Sequence, residues 1–261
     1  MTSILIKAKV DFSVICDQVL PGMQELMNDH AGRHKLSDFA MRYHHTSRIL
    51  KMGETRFRKD YCKWAEKKGY RNCERMAARI FATAQNGIPV LPNAPSTQSV
   101  ITEAIRVLHA VEASRDVISA QMQTLAKTLP EYSLVREMPC IGDTLAPRLI
   151  AEIGDVRRFH NKRALIAYAG IDAPPYQSGK FCANNRHISK RGNRYLRKTG
   201  YEVMQSYVMH KPTDDPVFTF IEKKRSEGKC VNVAMVAGLN KFLRIYYGKV
   251  TELYHSLSAI E

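Results

Sequence analysis

The sequence predicts a mainly α-helical protein. Three observations lead to that class. Strand-like alternation is weak throughout the 261 residues, apolar residues recur at three- and four-residue spacing over long stretches, and Pro- and Gly-containing breaks divide those stretches into helix-sized pieces. The expected organisation is a basic helical region over 1–90, a linker and coiled-coil helix over 91–133, and a C-terminal domain over 134–261.

Residues 3–28 read as helix, with Ile6, Val10, Val14, Cys16 and Val19 at roughly helical intervals until Pro21-Gly22 interrupts. Asp11 and Asp17 then fall on exposed helix positions. Residues 36–85 are polar, basic and helical in pieces. One piece runs from Ser37 to about Leu50 and another from Asn72 to about Gln85, with Ser37 and Asn72 as N-caps. Gly87 to Ser96 is a linker, because Pro89, Pro92 and Pro95 stop a continuing helix. Ser96 or Thr97 caps the next helix.

Residues 98–129 give the clearest helix. Ile101, Ala104, Leu108, Val111, Ile118, Met122, Leu125 and Leu129 form a seam broken only at Arg115, and Pro130 ends it. A coiled-coil strut, an antiparallel helix pair, and a long amphipathic helix packed on its own domain all fit this pattern.

From Met138-Pro-Cys-Ile-Gly142 the chain leads into a helix whose first turn tolerates Pro147 and which Gly154 ends. Phe159 packs back, and Asn161 caps a further helix ending at Gly170. Two short helices around a Gly-containing hairpin resemble the helix-hairpin-helix module, in which backbone N–H groups near the glycine (here Gly142) contact phosphates. A purely structural helical hairpin fits equally well. Residues 172–200 read as a loop and a basic helix with little core, offering only Ile188 and Leu196. Beyond Glu202 lie helices broken by His210 to Pro216, the last of them, about Asn232 to Tyr247, apolar enough to be a core element.

The net charge is +15, which points to a polyanionic partner. Its distribution is uneven. Residues 51–100 carry ten Lys/Arg against four Asp/Glu, and residues 151–200 carry eleven against three, whereas the other blocks are near neutral. That reads as two binding faces; two solvated basic faces are the plainer alternative. The six cysteines show no C-x-x-C pairing, so reduced thiols in a cytoplasmic protein are the simplest account. No apolar run approaches the roughly 20 residues of a membrane span, and the N-terminal stretch is too short for a signal-peptide core.

Ser178 is the candidate nucleophile. It sits in Tyr176-Gln-Ser-Gly-Lys180, where Gly179 permits a tight turn, and no acidic residue occurs between Ala173 and Tyr201. Lys180, Arg186, Lys190, Arg191, Arg194, Arg197 and Lys198 surround it in sequence as candidate nucleic-acid contacts. Lys190, Arg191, Arg194, Arg197 and Lys198 are expected along one helix. A serine hydroxyl attacking phosphorus needs a base or metal together with cations for the developing charge; Lys180, Lys190 and Arg191 are placed to supply the latter. His187 is a weaker candidate base and more naturally a polar residue facing nucleic acid. Ser189 is the rival hydroxyl, but its place before Lys190 suits helix capping. Residues 56–79 form a second candidate surface. Tyr61, Trp64 and Tyr70 interleave with its cations, and these rings either pack or stack on unpaired bases.

An ordered set of segments resembles one family. Pro139 to Asp143, Ala151 to Asp155, Phe159, Ala167 to Ile171, Tyr176 to Lys180, Ile188 to Gly192, Tyr195 to Arg197, Asp215-Pro216 and Glu222 to Lys229 are similar to the C-terminal domain of Piv/MooV-type DEDD insertion-sequence transposases. The similarity covers roughly residues 134–250, with Asp17 to Gly22 and the heptad helix also in family-like positions. The resemblance implies a serine nucleophile at Ser178 and a RuvC-like domain with four acidic residues binding Mg²⁺. It further implies a partner in DNA, a structured bridge RNA as guide, and homo-oligomers with composite active sites. Because residues 3–28 read as helix rather than an Asp-bearing strand, no metal ligand is expected in this chain and Mg²⁺ would belong to an absent domain. The function expected is transposition or site-specific recombination of an insertion sequence, incomplete without that domain. A non-catalytic nucleic-acid-binding remnant or repressor of a full-length transposase is the alternative.

Overall fold

The computed structural model describes residues 2–27, 34–70, 74–173, 177–178, 181–182 and 187–259. Helices dominate it, as the sequence predicts. The chain divides into two compact units, Met1–Ile118 and Ser119–Glu261, each with its own apolar core.

In the first unit, α1 (Thr2–Val19) turns at Gly22 into α2 (Met23–Met27). The Gly22 amide donates to Asp17 Oδ1 at 3.3 Å, and φ is +75° there. Asp11 and Asp17 are exposed, as expected. The buried face differs from the expected one. Leu5, Ala8, Phe12, Cys16 and Val19 pack inward, whereas Ile6, Val10 and Val14 are each more than half exposed. Two apolar stripes compete on this helix, and the buried one carries the largest side chain, Phe12.

The expected helix from Ser37 to Leu50 is two helices, α3 (Lys35–Tyr43) and α4 (Thr46–Met52). His44, at φ +56°, breaks them apart. Buried His45 caps α4 by accepting the Ser47 amide on Nδ1 at 3.1 Å, which leaves Nε2–H to donate to the Leu91 carbonyl at 3.0 Å. Ser37 is not a cap. It lies inside α3 and its hydroxyl donates to the His34 carbonyl at 3.0 Å. Asn72 lies outside the described residues. Next come α5 (Glu54–Lys67) and α6 (Glu74–Asn86), packed on each other. Tyr61 and Trp64 are buried and Tyr70 is half-buried against the same core, so packing accounts for these rings and base stacking is ruled out for the buried pair.

The Pro-rich linker is non-helical up to α7 (Pro95–Ala126). Ser96 and Thr97 fall inside this helix rather than capping it, because Pro95 opens it; proline suits a first turn, where its missing N–H has no intrahelical partner. Ile101 and Leu108 of the expected seam join the first core with Ile105, while Ile118 and Leu125 are exposed.

The second unit contains α8 (Tyr132–Arg136), α9 (Leu145–Ile153), a 3₁₀ turn (Val156–Arg158), α10 (Lys162–Ala169), the strands β1 (Gln177–Ser178) and β2 (Phe181–Cys182), α11 (Arg194–His210), α12 (Pro216–Ser226) and α13 (Val231–Ser258). Gly154 ends α9 at φ +65°, and Asn161 Oδ1 caps α10 by accepting the Arg163 and Ala164 amides at 2.8 and 3.0 Å. Phe159 is buried. All three agree with the sequence reading. Helix α13 is longer than expected and runs through the core, burying Ala234, Met235, Leu239, Phe242, Leu243, Tyr246 and Val250. Helices α8, α10, α11 and α12 pack on it. Gly238 permits the α12 approach, since a Cβ there would meet Ile221 Cγ1 at 2.5 Å.

Within the basic segment Leu196 is buried, as expected of one of its two apolar residues, and so are the small Thr199 and Gly200; α11 continues the same buried face beyond the segment with Val203, Met204 and Tyr207. Among the described residues no helix is long and apolar enough to cross a membrane.

Candidate nucleic-acid interface

Ser178 lies in β1, paired antiparallel with Phe181 of β2, while Gln177 pairs with Cys182. This small hairpin had no visible strand signal in the sequence. Gly179 and Lys180, which separate the strands in the sequence, lie outside the described residues, as does Arg186.

The segment that carries the hairpin leaves and rejoins the fold at one place. The Ser189 amide donates to the Asp172 carbonyl at 2.8 Å, and the Ser189 hydroxyl donates to Asp172 Oδ1 at 2.5 Å. Next to this pair, the Lys190 amide donates to the Gly170 carbonyl at 3.0 Å, and the Asn193 amide to the Tyr168 carbonyl at 2.5 Å. The Arg197 guanidinium reaches back to the Ala169 carbonyl at 3.0 Å. Residues 189–197 therefore satisfy carbonyls at the C-terminal end of α10 that an isolated helix leaves unpaired.

Gly192 makes this docking possible. A Cβ there would overlap the carbonyl oxygens of Tyr168 and Ala167. Lys190 takes a left-handed conformation, φ +53°, to make the turn. The helix expected from Lys190 onward therefore starts later. Lys190 and Arg191 precede α11, and its N-cap is Asn193, whose Oδ1 accepts the Tyr195 and Leu196 amides at 2.8 and 3.1 Å. Ser189 is not the cap; its hydroxyl serves Asp172.

Asn193 is anchored in turn. Its Nδ2 donates to Glu152 Oε2 at 3.0 Å and to the Tyr168 hydroxyl at 3.1 Å. The Arg158 guanidinium lies over the Phe159 and Tyr168 rings at 4.6 and 4.5 Å. The Asn193 hydrogen bond, then Arg158, hold the Tyr168 phenol below the usual tyrosine range. The sequence reading missed Asp172, Asn193, Tyr168 and Glu152. Asn193 was discoverable as an Asx residue preceding an apolar-periodic run.

This arrangement sorts the candidate cations. Lys190, Arg191 and Arg194 are exposed and form no ion pair among the described residues. Arg194 lies 4.7 Å over the exposed Tyr195 ring and donates to its hydroxyl at 2.7 Å. Lys198 is exposed but lies 3.9 Å from Glu202, which also accepts from Arg148 at 2.6 Å. Arg197 is committed to the α10 carbonyl. His187 is exposed, and no structural feature marks it as a base. Three unpaired cations beside the start of a 17-residue helix, with no acid in its first turn, make a surface suited to phosphate.

Gly142 lies in the connection 137–144 between α8 and α9. It is exposed, and its carbonyl accepts the Leu145 and Ala146 amides at 3.1 and 3.0 Å. Arg136 holds the connection by donating to Asp143 Oδ1 at 2.6 Å and to the Ile141 carbonyl at 3.1 Å. Among the described residues no group of three or more His, Cys, Asp or Glu side chains is arranged to hold a metal ion.

Residues 132–217 match the model of the transposase IS116/IS110/IS902 family. The chain is 23% identical over 219 residues to an insertion element IS110 43.6 kDa protein of Streptomyces coelicolor, covering 84% of this chain and 52% of that protein. It is 23% identical over 192 residues to an insertion element IS900 42 kDa protein of Mycobacterium paratuberculosis, covering 72% of this chain and 47% of that one. With the transposase for insertion sequence element IS1111A of Coxiella burnetii the identity is 27% over 135 residues, 50% of this chain and 36% of the relative. The chain spans about half the length of the first two of these curated relatives. By these matches, residues 132–217 are similar to an insertion-sequence transposase domain, and the hairpin, its clamped base and the start of α11 all fall within that stretch.

Proposed function

We propose that this chain takes part in transposition of an insertion sequence, and that its second unit binds the DNA phosphate backbone and presents Ser178 as nucleophile. The observation that carries this reading is the clamp: Asp172 and Ser189 close the base of the Ser178 segment, and the same backbone turn sets Lys190, Arg191 and Arg194 beside it. In the proposed step, Ser178 Oγ attacks the scissile phosphorus. The Oγ–P bond forms as the P–O bond to the deoxyribose breaks, leaving a seryl phosphodiester; the Ser178 proton passes to water, and the leaving deoxyribose oxygen takes a proton from water. The three cations neutralise the charge that develops on the phosphoryl oxygens. Gly142, in its connection between two short helices, is proposed to add backbone contacts to phosphate of the helix-hairpin-helix kind. A Mg²⁺-binding acidic domain, a structured guide RNA and a homo-oligomer assembled through the exposed half of the α7 seam complete the proposal; no step is assigned to the metal.

A second reading, in which the chain binds nucleic acid without cleaving it, rests on the same exposed cations Lys190, Arg191 and Arg194. Covalent trapping separates the two. The chain is mixed with labelled insertion-end DNA, Mg²⁺ and the part of the Streptomyces coelicolor relative that this chain does not cover, then denatured. A protein–DNA adduct lost in Ser178→Ala and kept in Ser189→Ala supports the nucleophile. An adduct that persists in Ser178→Ala overturns it, and salt-dependent binding without any adduct supports the binding-only reading.

A further inference from the structure

The first unit carries a charged surface that the reading above does not use. Helix α5 buries Phe57, Tyr61, Trp64 and Ala65 on one side. On the other, Arg56, Lys59, Lys63 and Lys67 are exposed, and none forms an ion pair among the described residues. Their spacing of three, four and four residues puts them in one stripe along the helix. Arg58, by contrast, is tied to Glu54 and Glu74 at 3.6 and 3.7 Å, and Lys68 to Asp38 at 3.1 Å.

Near the N-terminal end of the stripe is a cleft of about 450 Å³ lined by Arg42, Tyr43, Arg48, Lys51, Met52 and Asp60. Its one carboxylate is taken: Asp60 accepts from Arg42 Nη2 at 2.7 Å and from the Tyr43 hydroxyl at 2.8 Å. Arg48 donates only to His44, at 3.1 Å, and Lys51 has no acidic partner among the described residues. Burial, and then the charge of Arg48, lower the His44 pKa.

We infer that Arg48 and Lys51 in the cleft and Arg56, Lys59, Lys63 and Lys67 on α5 form a second binding surface, one that runs along the phosphate backbone of duplex DNA. The inference rests on the nucleic-acid reading above and adds a separate face to it. From Arg56 to Lys67 the stripe is about 16 Å long. Along the helix axis one strand of a duplex places a phosphate every ~3.4 Å, and the phosphates lie farther apart along the backbone itself, so the stripe faces fewer than five of them. The chemistry favours a duplex over a single strand, because Tyr61 and Trp64 are buried and leave the face with cations but no ring for an unpaired base. Contact with phosphates alone carries no sequence preference.

The test uses the full chain and a labelled DNA duplex, with affinity measured across a salt series. Wild type is compared with Arg56→Gln/Lys59→Gln/Lys63→Gln/Lys67→Gln and with the charge-preserving Lys59→Arg/Lys63→Arg/Lys67→Arg. The expected result is a fall of about three to four units in the salt slope for the glutamine variant and none for the arginine variant. Should the fourfold variant not fold, Lys63→Gln and Lys67→Gln taken singly should each remove about one unit. An unchanged slope in a folded glutamine variant, with wild type binding normally, overturns this inference alone. So does a loss confined to single-stranded DNA or to an RNA duplex. Failure of wild type to bind any nucleic acid overturns the underlying reading as well.

Discussion

Ser189 and Asp172, seventeen positions apart, are joined twice: side chain to side chain at 2.5 Å and amide to carbonyl at 2.8 Å. That pair fixes where the Ser178 segment begins and ends. Ser189→Ala removes the hydroxyl's bond to Asp172 and its long, 3.5 Å acceptance of the Arg191 amide, and should cost about 1 kcal/mol. Its more telling effect should be local. Hydrogen exchange at the Lys190 amide, which bonds the Gly170 carbonyl, should accelerate while exchange along α13 stays unchanged.

Gly192 has no room for a side chain against the carbonyls of α10. Gly192→Ala should destabilise the second unit by about 1–3 kcal/mol, read by thermal or urea unfolding. A change within error would mean that the turn from Lys190 to Asn193 is not held as described.

Arginines of the basic segment should separate into two classes. Arg197→Ala, which loses the bond to the Ala169 carbonyl, should lower the melting temperature. Arg191→Ala and Arg194→Ala should leave stability nearly unchanged and each reduce the salt slope of DNA binding by about one unit.

The sequence and the structure agree where local chemistry decides. Asn161, Gly154 and Gly170 begin or end helices at the predicted places, because caps act within a few residues. They part where distant contacts decide. Lys190 and Arg191 have helical spacing, yet the carbonyls of α10 pull that backbone into a turn. Leu196 reads as a lone apolar residue because its buried neighbours Thr199 and Gly200 are small, and Gly200 matters for how closely Leu239 can approach. On α1 periodicity marks a helix but leaves its buried stripe undecided, since Ile6, Val10 and Val14 compete with Leu5, Phe12 and Cys16. Of the candidate surface, the exposure of Lys190, Arg191 and Arg194 is legible in their charge, whereas Asp172 and Tyr168 acquire meaning only through contacts made by residues 17 to 25 positions away.

Asp60 offers a pH test in the first unit. Burial works to raise its pKa, but hydrogen bonds from Arg42 and Tyr43 and their attendant charge outweigh it, so the carboxyl sits below the ordinary 3.8. A depressed folded pKa gives stability that is present above the unfolded value and lost as pH falls through the folded one. Asp60→Asn should therefore cost on the order of 1–2 kcal/mol at neutral pH. The difference from wild type should shrink below about pH 4. Urea unfolding across that range measures it.

The central claim is that the clamped turn presents Lys190, Arg191 and Arg194 to a DNA backbone. Its most direct measurement is duplex-DNA affinity across a salt series for wild type and for Lys190→Gln/Arg191→Gln/Arg194→Gln. The predicted result is a salt slope smaller by about three units with unfolding unchanged. An identical slope in a folded variant would contradict the claim and assign DNA binding to another face.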